Sequence, residues 1–346
     1  MPAPPAEIPH AELLDQRICD LGLRLEGSPL EGCVAQLYRE LEAKGLRLFR
    51  PDCYLTDEWG CPDMEPVIGI PFYLSDSRLA ALERAMTDHL EDDRQVMMYL
   101  RHEAGHAFNY AYLLYRSRRW REHFGPFFRR YRDDYRPIPF SRHFVRHIEG
   151  WYAQKHPDED FAETFAVWLT PNSGWRREYR GWPALAKLRY VDGVMRRLRE
   201  VPPAMPQGKT DITAQDMTET LREFYERWSR ETGATVEEAL GPDLEDLFPA
   251  TRRRRSRTQA SAKLGVTRPA AELVEEQRAL LTDRIAYWTG VRRPVVRALI
   301  QRIARTSREL GLVVESEREQ AALVELTTYG TTLAMNYLTR GTFFQG

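Results

Sequence analysis

Residues 91–116 of this 346-residue chain read EDDRQVMMYLRHEAGHAFNYAYLLYR. Val96, Met97, Leu100, Ala104, Ala107, Phe108, Ala111 and Leu114 recur at helical spacing, which predicts one long helix with an apolar face. Inside it stands His102-Glu103-Ala104-Gly105-His106, an H-E-x-x-H sequence. Residues four apart on a helix stack on one face, so both imidazoles can reach a single ion. Neutral imidazole nitrogen binds zinc well, at about 2.0–2.1 Å. Glu103 lies beside that face, where its carboxylate can hold a metal-bound water and take its proton. A pair of surface histidines would look the same over five residues. The apolar flanks weigh against that reading, because a buried helix bearing two imidazoles and a carboxylate needs partners for them.

A mononuclear hydrolytic zinc takes three protein ligands and keeps a fourth position for water. The third ligand is sought in His156-Pro157-Asp158-Glu159-Asp160-Phe161-Ala162-Glu163. A helix is predicted over about 157–169, ended at Thr170-Pro171 because proline cannot continue it. Glu159 and Glu163 stand one turn apart on it, with Phe161, Phe165, Val167, Trp168 and Leu169 as apolar bulk. One carboxylate of such a pair can bind the ion, and the other can accept a hydrogen bond from a ligand imidazole. Asp160 is a rival ligand with a shorter reach. An acidic first turn is also favoured by the helix dipole alone, so the cluster gains its meaning from the histidines upstream. His143, His147 and His156 are expected at surface or outer positions, with His147 an alternative donor to an oxyanion.

Together, HEAGHAFNYAY at 102–112 and YAQKHPDEDFAETFAVWL at 152–169 resemble the gluzincin zinc metallopeptidases. The similarity is to the anthrax-lethal-factor-like peptidases and to a group of bacterial zinc-binding metallopeptidases. In those proteins the ligand Glu precedes a Phe-Ala pair, and a second Glu follows four residues after the ligand. The resemblance implies a zincin-like core with zinc on His102, His106 and Glu159, and Glu163 behind a ligand imidazole. It implies Glu103 as the base and Tyr152 as donor to the oxyanion. The implied activity is hydrolysis of peptide or amide bonds in a peptide or protein substrate, with endopeptidase, exopeptidase and amidase all open. The strand around Val67–Leu74 would line the cleft and receive substrate by edge pairing. This resemblance covers roughly residues 65–190.

Outward from these motifs, the chain reads as mainly α with a small mixed sheet, an α+β class with a helical C-terminal region. Residues 1–45 read as an N-terminal helical segment, 46–204 as the metallopeptidase domain and 205–346 as the helical C-terminal region. Short strands are expected within 47–75, with Pro71 ending the last or confining it to an edge. Residues 117–150 carry several helix breakers and read as an irregular lobe over a site. Val201-Pro202-Pro203 with Pro206 and Gly208 is a linker candidate, and Arg252–Arg255 with Arg257 reads as a solvated break.

Composition excludes other classes. With 42% hydrophobic and 29% charged residues, the chain is ordinary globular material. Lys+Arg 50 against Asp+Glu 51 leaves a net charge of −1, so no global field draws nucleic acid, and a nucleic-acid partner is disfavoured. No basic start with an apolar core follows Met1, and no run nears the roughly 18 apolar residues of a spanning helix. Cys19, Cys33, Cys53 and Cys61 form no CxxC pair and are expected as reduced thiols in the cytoplasm. The sequence carries no signal for oligomeric state. Two other readings stay open: a non-catalytic zinc-containing regulatory protein whose C-terminal helices recognise a partner, and a factor binding nucleic acid through the arginine run.

Overall fold

The computed structural model of the protein describes residues 10–87, 89–131, 135, 137–232, 240–248 and 267–343. The Pro-rich start, Arg252–Arg255 with Arg257, and the terminal Phe344-Gln345-Gly346 lie outside them. Two compact units are present, Met1–Arg227 and Trp228–Gly346. The expected boundaries at 45/46 and 204/205 both fall within the first.

In the first unit, α1 (His10–Leu14) and α2 (Pro29–Ala43) precede the strands. Ser28 accepts a bond from the Leu30 amide, and Pro29 takes the first position of α2. β1 (Asp52–Thr56) and β2 (Val67–Pro71) pair in parallel, Asp52 opposite Val67 and Thr56 opposite Pro71. Pro71 ends β2, and Phe72–Ser75 continues as a 3-10 turn. Then come α3 (Ser77–Thr87), α4 (Asp93–Ala111), α5 (Arg118–Phe124), α6 (Pro157–Leu169), α7 (Trp175–Glu178), α8 (Ala184–Leu198) and the start of α9 (Leu221–Thr232), within which the division at Arg227 falls.

The sheet corrects one expectation. β2 is buried along its whole length. Alternate residues point their backbone groups to opposite edges, so Val67, Gly69 and Pro71 share the edge away from β1. The Val67 amide donates to the Glu65 carbonyl at 2.9 Å, Gly69 exchanges bonds with Gly60 at 2.7 and 3.3 Å, and Pro71 has no N–H. No donor on that edge remains for a substrate strand.

α4 and α6 form the centre of the unit. Asp92 and Gln95 cap α4 reciprocally, side chain to backbone at 2.8 and 3.1 Å. The His156 ring accepts from the Asp158 amide and starts α6, with Pro157 at its first position. Every residue of α6 is buried, its acidic first turn included. The two helices approach closely at Gly105, where a Cβ would lie 2.7 Å from the Ala162 Cα and 3.0 Å from its carbonyl oxygen. Glycine inside a helix costs about 1 kcal/mol against alanine; here it lets the backbones meet, which brings the side chains of one turn of each helix together.

The linker candidate runs back along this unit. The Met205 amide bonds the Ala111 carbonyl and the Ala214 amide that of Leu55. Gly208 sits where a Cβ would fall 2.7 Å from the Pro66 ring. Backbone pairing and one missing side chain dock a segment whose side chains remain exposed or half-buried.

The second unit holds α10 (Gly241–Leu247), α11 (Ala270–Glu276), α12 (Arg278–Thr289), α13 (Arg293–Glu309) and α14 (Glu319–Arg340). Val295, Val296, Leu299, Ile300 and Ile303 bury the apolar face of α13. β3 (Thr267–Pro269) and β4 (Val313–Glu315) pair antiparallel. These three-residue strands are too short to show an alternating pattern, and the sequence reading lacks them. Among the described residues no helix is long and apolar enough to cross a membrane.

Candidate metal centre

His102 and His106 lie one turn apart on the buried face of α4, and Glu159 faces them from the first turn of α6. His102 Nε2 is 3.0 Å from Glu159 Oε2, His106 Nε2 is 3.1 Å from the same oxygen, and the two Nε2 atoms are 3.1 Å apart. The three residues form a group able to hold a metal ion.

The other ring nitrogens decide the protonation. His102 Nδ1 is 2.9 Å from Glu163 Oε1, and His106 Nδ1 is 2.8 Å from Asp158 Oδ2. An ionised carboxylate only accepts, so each Nδ1 carries a proton, which leaves Nε2 as the nitrogen able to offer a lone pair to a metal once its own proton is displaced. Both carboxylates are held in turn. The Ile148 amide donates to Glu163 Oε2 at 2.9 Å; the Tyr110 hydroxyl and the Asn109 amide donate to Asp158 at 2.5 and 2.7 Å. Two imidazole Nε2 atoms and a carboxylate oxygen therefore converge in a buried space, an arrangement that calls for positive charge, whether protons or a metal ion.

With protons as the only cations, the titration of the group reflects that demand. Burial works against a charged His102, but its bonds to Glu159 and Glu163 outweigh burial and push it up to about 9. His106 is also raised, against burial, by the Asp158 and Glu159 charges. Burial would raise Glu159, yet the imidazoles hold it well below the usual carboxylate range. The donor set suits zinc: two imidazoles and one carboxylate, at separations near the about 3.3 Å between ligand atoms of a tetrahedral zinc site.

A pH dependence follows. Metal-free His102, at about 9, is protonated at pH 7, so metal uptake must displace protons. His102 is raised above its unfolded value near 6.5, so the proton's contribution to metal-free stability is full below pH 6.5 and is lost as pH rises through about 9. Apparent zinc affinity is expected to climb between pH 6.5 and 9, with proton release measurable by calorimetry in buffers of different ionisation enthalpy. Uptake at pH 7 with no proton release would contradict this account.

Glu103, on the same turn, is 5% exposed, and burial raises its carboxyl against the pull of the two imidazoles. Tyr152 packs its ring edge-on against His102, with centroids 5.6 Å apart, and burial pushes its hydroxyl up. Trp151 before it adopts the left-handed conformation at φ 54°, rare for a bulky residue and a strained way to turn the chain.

The remaining sequence candidates stand elsewhere. Asp160 turns away to a buried ion pair with Lys187 at 2.6 Å, and burial raises its carboxyl to about 7. His147 Nε2 lies 2.9 Å from the Met98 carbonyl, to which it donates, His156 caps α6, and His143 is exposed. Four residues given no site role in the sequence reading join the site: Asp158, Asn109, Tyr110 and Tyr131. The Tyr131 hydroxyl donates to Glu159 Oε1 at 2.6 Å. Asn109 and Tyr110 continue the stripe of His102 and His106 on α4, a signal legible in principle. Tyr131 lies in no periodic segment and offers none.

Neither a curated protein nor a solved structure matches this chain. Residues 68–173, the stretch carrying β2, α4 and α6, match a family model described as "putative zinc-binding metallo-peptidase", and this similarity, with the candidate metal site, supports a zinc-dependent peptidase in general terms.

Proposed function

We propose that this protein is a gluzincin-type zinc hydrolase of peptide or amide bonds acting on a peptide or protein substrate. The observation that carries the reading is the meeting of His102 Nε2, His106 Nε2 and Glu159 Oε2 at 3.0–3.1 Å with both Nδ1 protons committed to carboxylates. Zinc held there would supply a bound water with its pKa lowered to about 7 and a Lewis acid for a carbonyl.

The chain's own residues do the rest. Glu163 and Asp158 keep both imidazoles in the tautomer that ligates and fix their orientation. Glu103, buried and raised, takes the water's proton and later delivers it to the leaving amine. Tyr152, kept protonated by burial, donates its hydroxyl to the developing oxyanion, a kind of contact worth about 2.7–4 kcal/mol when well placed. The four cysteines are free, which suits a reducing compartment, and we assign the enzyme to the cytoplasm.

The test is metal analysis of the purified chain and digestion of a peptide library with and without a chelator. Stoichiometric zinc with chelator-sensitive cleavage is expected. Zinc without any cleavage would favour the non-catalytic binding role, and no zinc uptake would end the reading.

A further inference from the structure

Residues 127–131, which follow α5, are tied to the surroundings of the metal centre at several points. Phe127 stacks on Tyr115 at 4.3 Å and packs edge-on to Tyr110, the residue that bonds Asp158. The Arg129 carbonyl accepts from His156 Nε2 at 2.8 Å, and His156 caps the helix that presents Glu159. The Tyr131 hydroxyl bonds Glu159 Oε1 at 2.6 Å and stands 3.3 Å from the Tyr152 hydroxyl, with the Lys155 ammonium 4.4 Å above its ring.

We propose that Tyr131 is a positioning residue that holds Glu159 in one-oxygen coordination. This inference rests on Glu159 being a metal ligand. A carboxylate can offer an ion one oxygen or both. Here Oε1 is claimed by the Tyr131 phenol while Oε2 alone faces the two imidazole nitrogens. Holding Glu159 to one oxygen keeps the coordination number at three protein ligands and preserves the position needed for water.

The phenol has a single proton, and Glu159 receives it. In the contact between the tyrosines, Tyr152 is therefore the donor and Tyr131 the acceptor. Tyr131 thus also parks the Tyr152 proton until a stronger acceptor, such as an oxyanion, draws it away.

The experiment compares the full chain with its Tyr131→Phe and Tyr152→Phe variants. Zinc affinity is measured by competition with a chromophoric chelator, and coordination is followed by the visible absorption of the cobalt(II)-substituted protein. Tyr131 is 46% exposed, so the metal-free Tyr131→Phe protein should still fold, which its unfolding transition checks. Its zinc affinity should fall about 10–100-fold, the usual loss when a ligand's outer partner is removed. Its cobalt spectrum should weaken as Glu159 turns to two-oxygen binding. Tyr152→Phe, which leaves the bond to Glu159 intact, should keep wild-type affinity. Unchanged affinity and spectrum in Tyr131→Phe, or an equal loss in both variants, would overturn the inference while leaving the metal site standing. Failure of the unmodified chain to take up zinc would overturn the metal reading and this inference with it.

Discussion

Glu103→Gln is expected to retain one equivalent of zinc and to lose hydrolysis by about 10²–10⁴-fold, the range general-base catalysis supplies. Glutamine fills the same volume and keeps an acceptor oxygen, so the buried turn of α4 repacks little. It cannot take a proton. Glu103 makes no part of the three-atom cluster formed by His102, His106 and Glu159, so metal uptake should survive. The measurement is zinc content beside turnover on whichever library peptide the wild type cleaves. Near-wild-type turnover in the zinc-loaded variant would remove Glu103 from the mechanism, and loss of zinc would recast it as a ligand or as an essential support of one.

Glu159→Ala is expected to abolish stoichiometric zinc. It removes the only anionic member of the cluster and leaves two imidazole nitrogens 3.1 Å apart with nothing opposite them. Glu163→Ala should do less. It frees His102 Nδ1 and the Ile148 amide, and its expected cost is about 10–100-fold in affinity. The pair of variants decides between two acids that the sequence leaves as rivals. Zinc held at one equivalent by Glu159→Ala, with its loss in Glu163→Ala, would reverse the assignment.

Much of the scaffold around these residues is legible in the sequence. The apolar spacing from Val96 to Ala111 and the proline at 171 bound α4 and α6 closely. Pro71 marked the end of β2, as expected of a residue confined to strand ends and open edges. The open edge expected of β2 was not there: Gly60, nine residues away, closes it, and nothing in local composition announces a single bridge. The linker reading of 201–208 does not foresee that this exposed segment pairs back onto its own unit, since that docking depends on the Ala111 carbonyl and on what faces Gly208.

By itself the sequence determined that two imidazoles share a helix face, because helical periodicity is a local property that spacing records. It likewise placed a carboxylate pair one turn apart on a second helix. Which acid meets the histidines was decided only by the tertiary structure. Gly105 seated on Ala162 sets the depth and rotation of α6 against α4, turning Glu159 inward and Asp160 toward Lys187. The same packing recruited Asp158 and Tyr131, whose roles rest on contacts between distant segments of chain that no sequence period encodes.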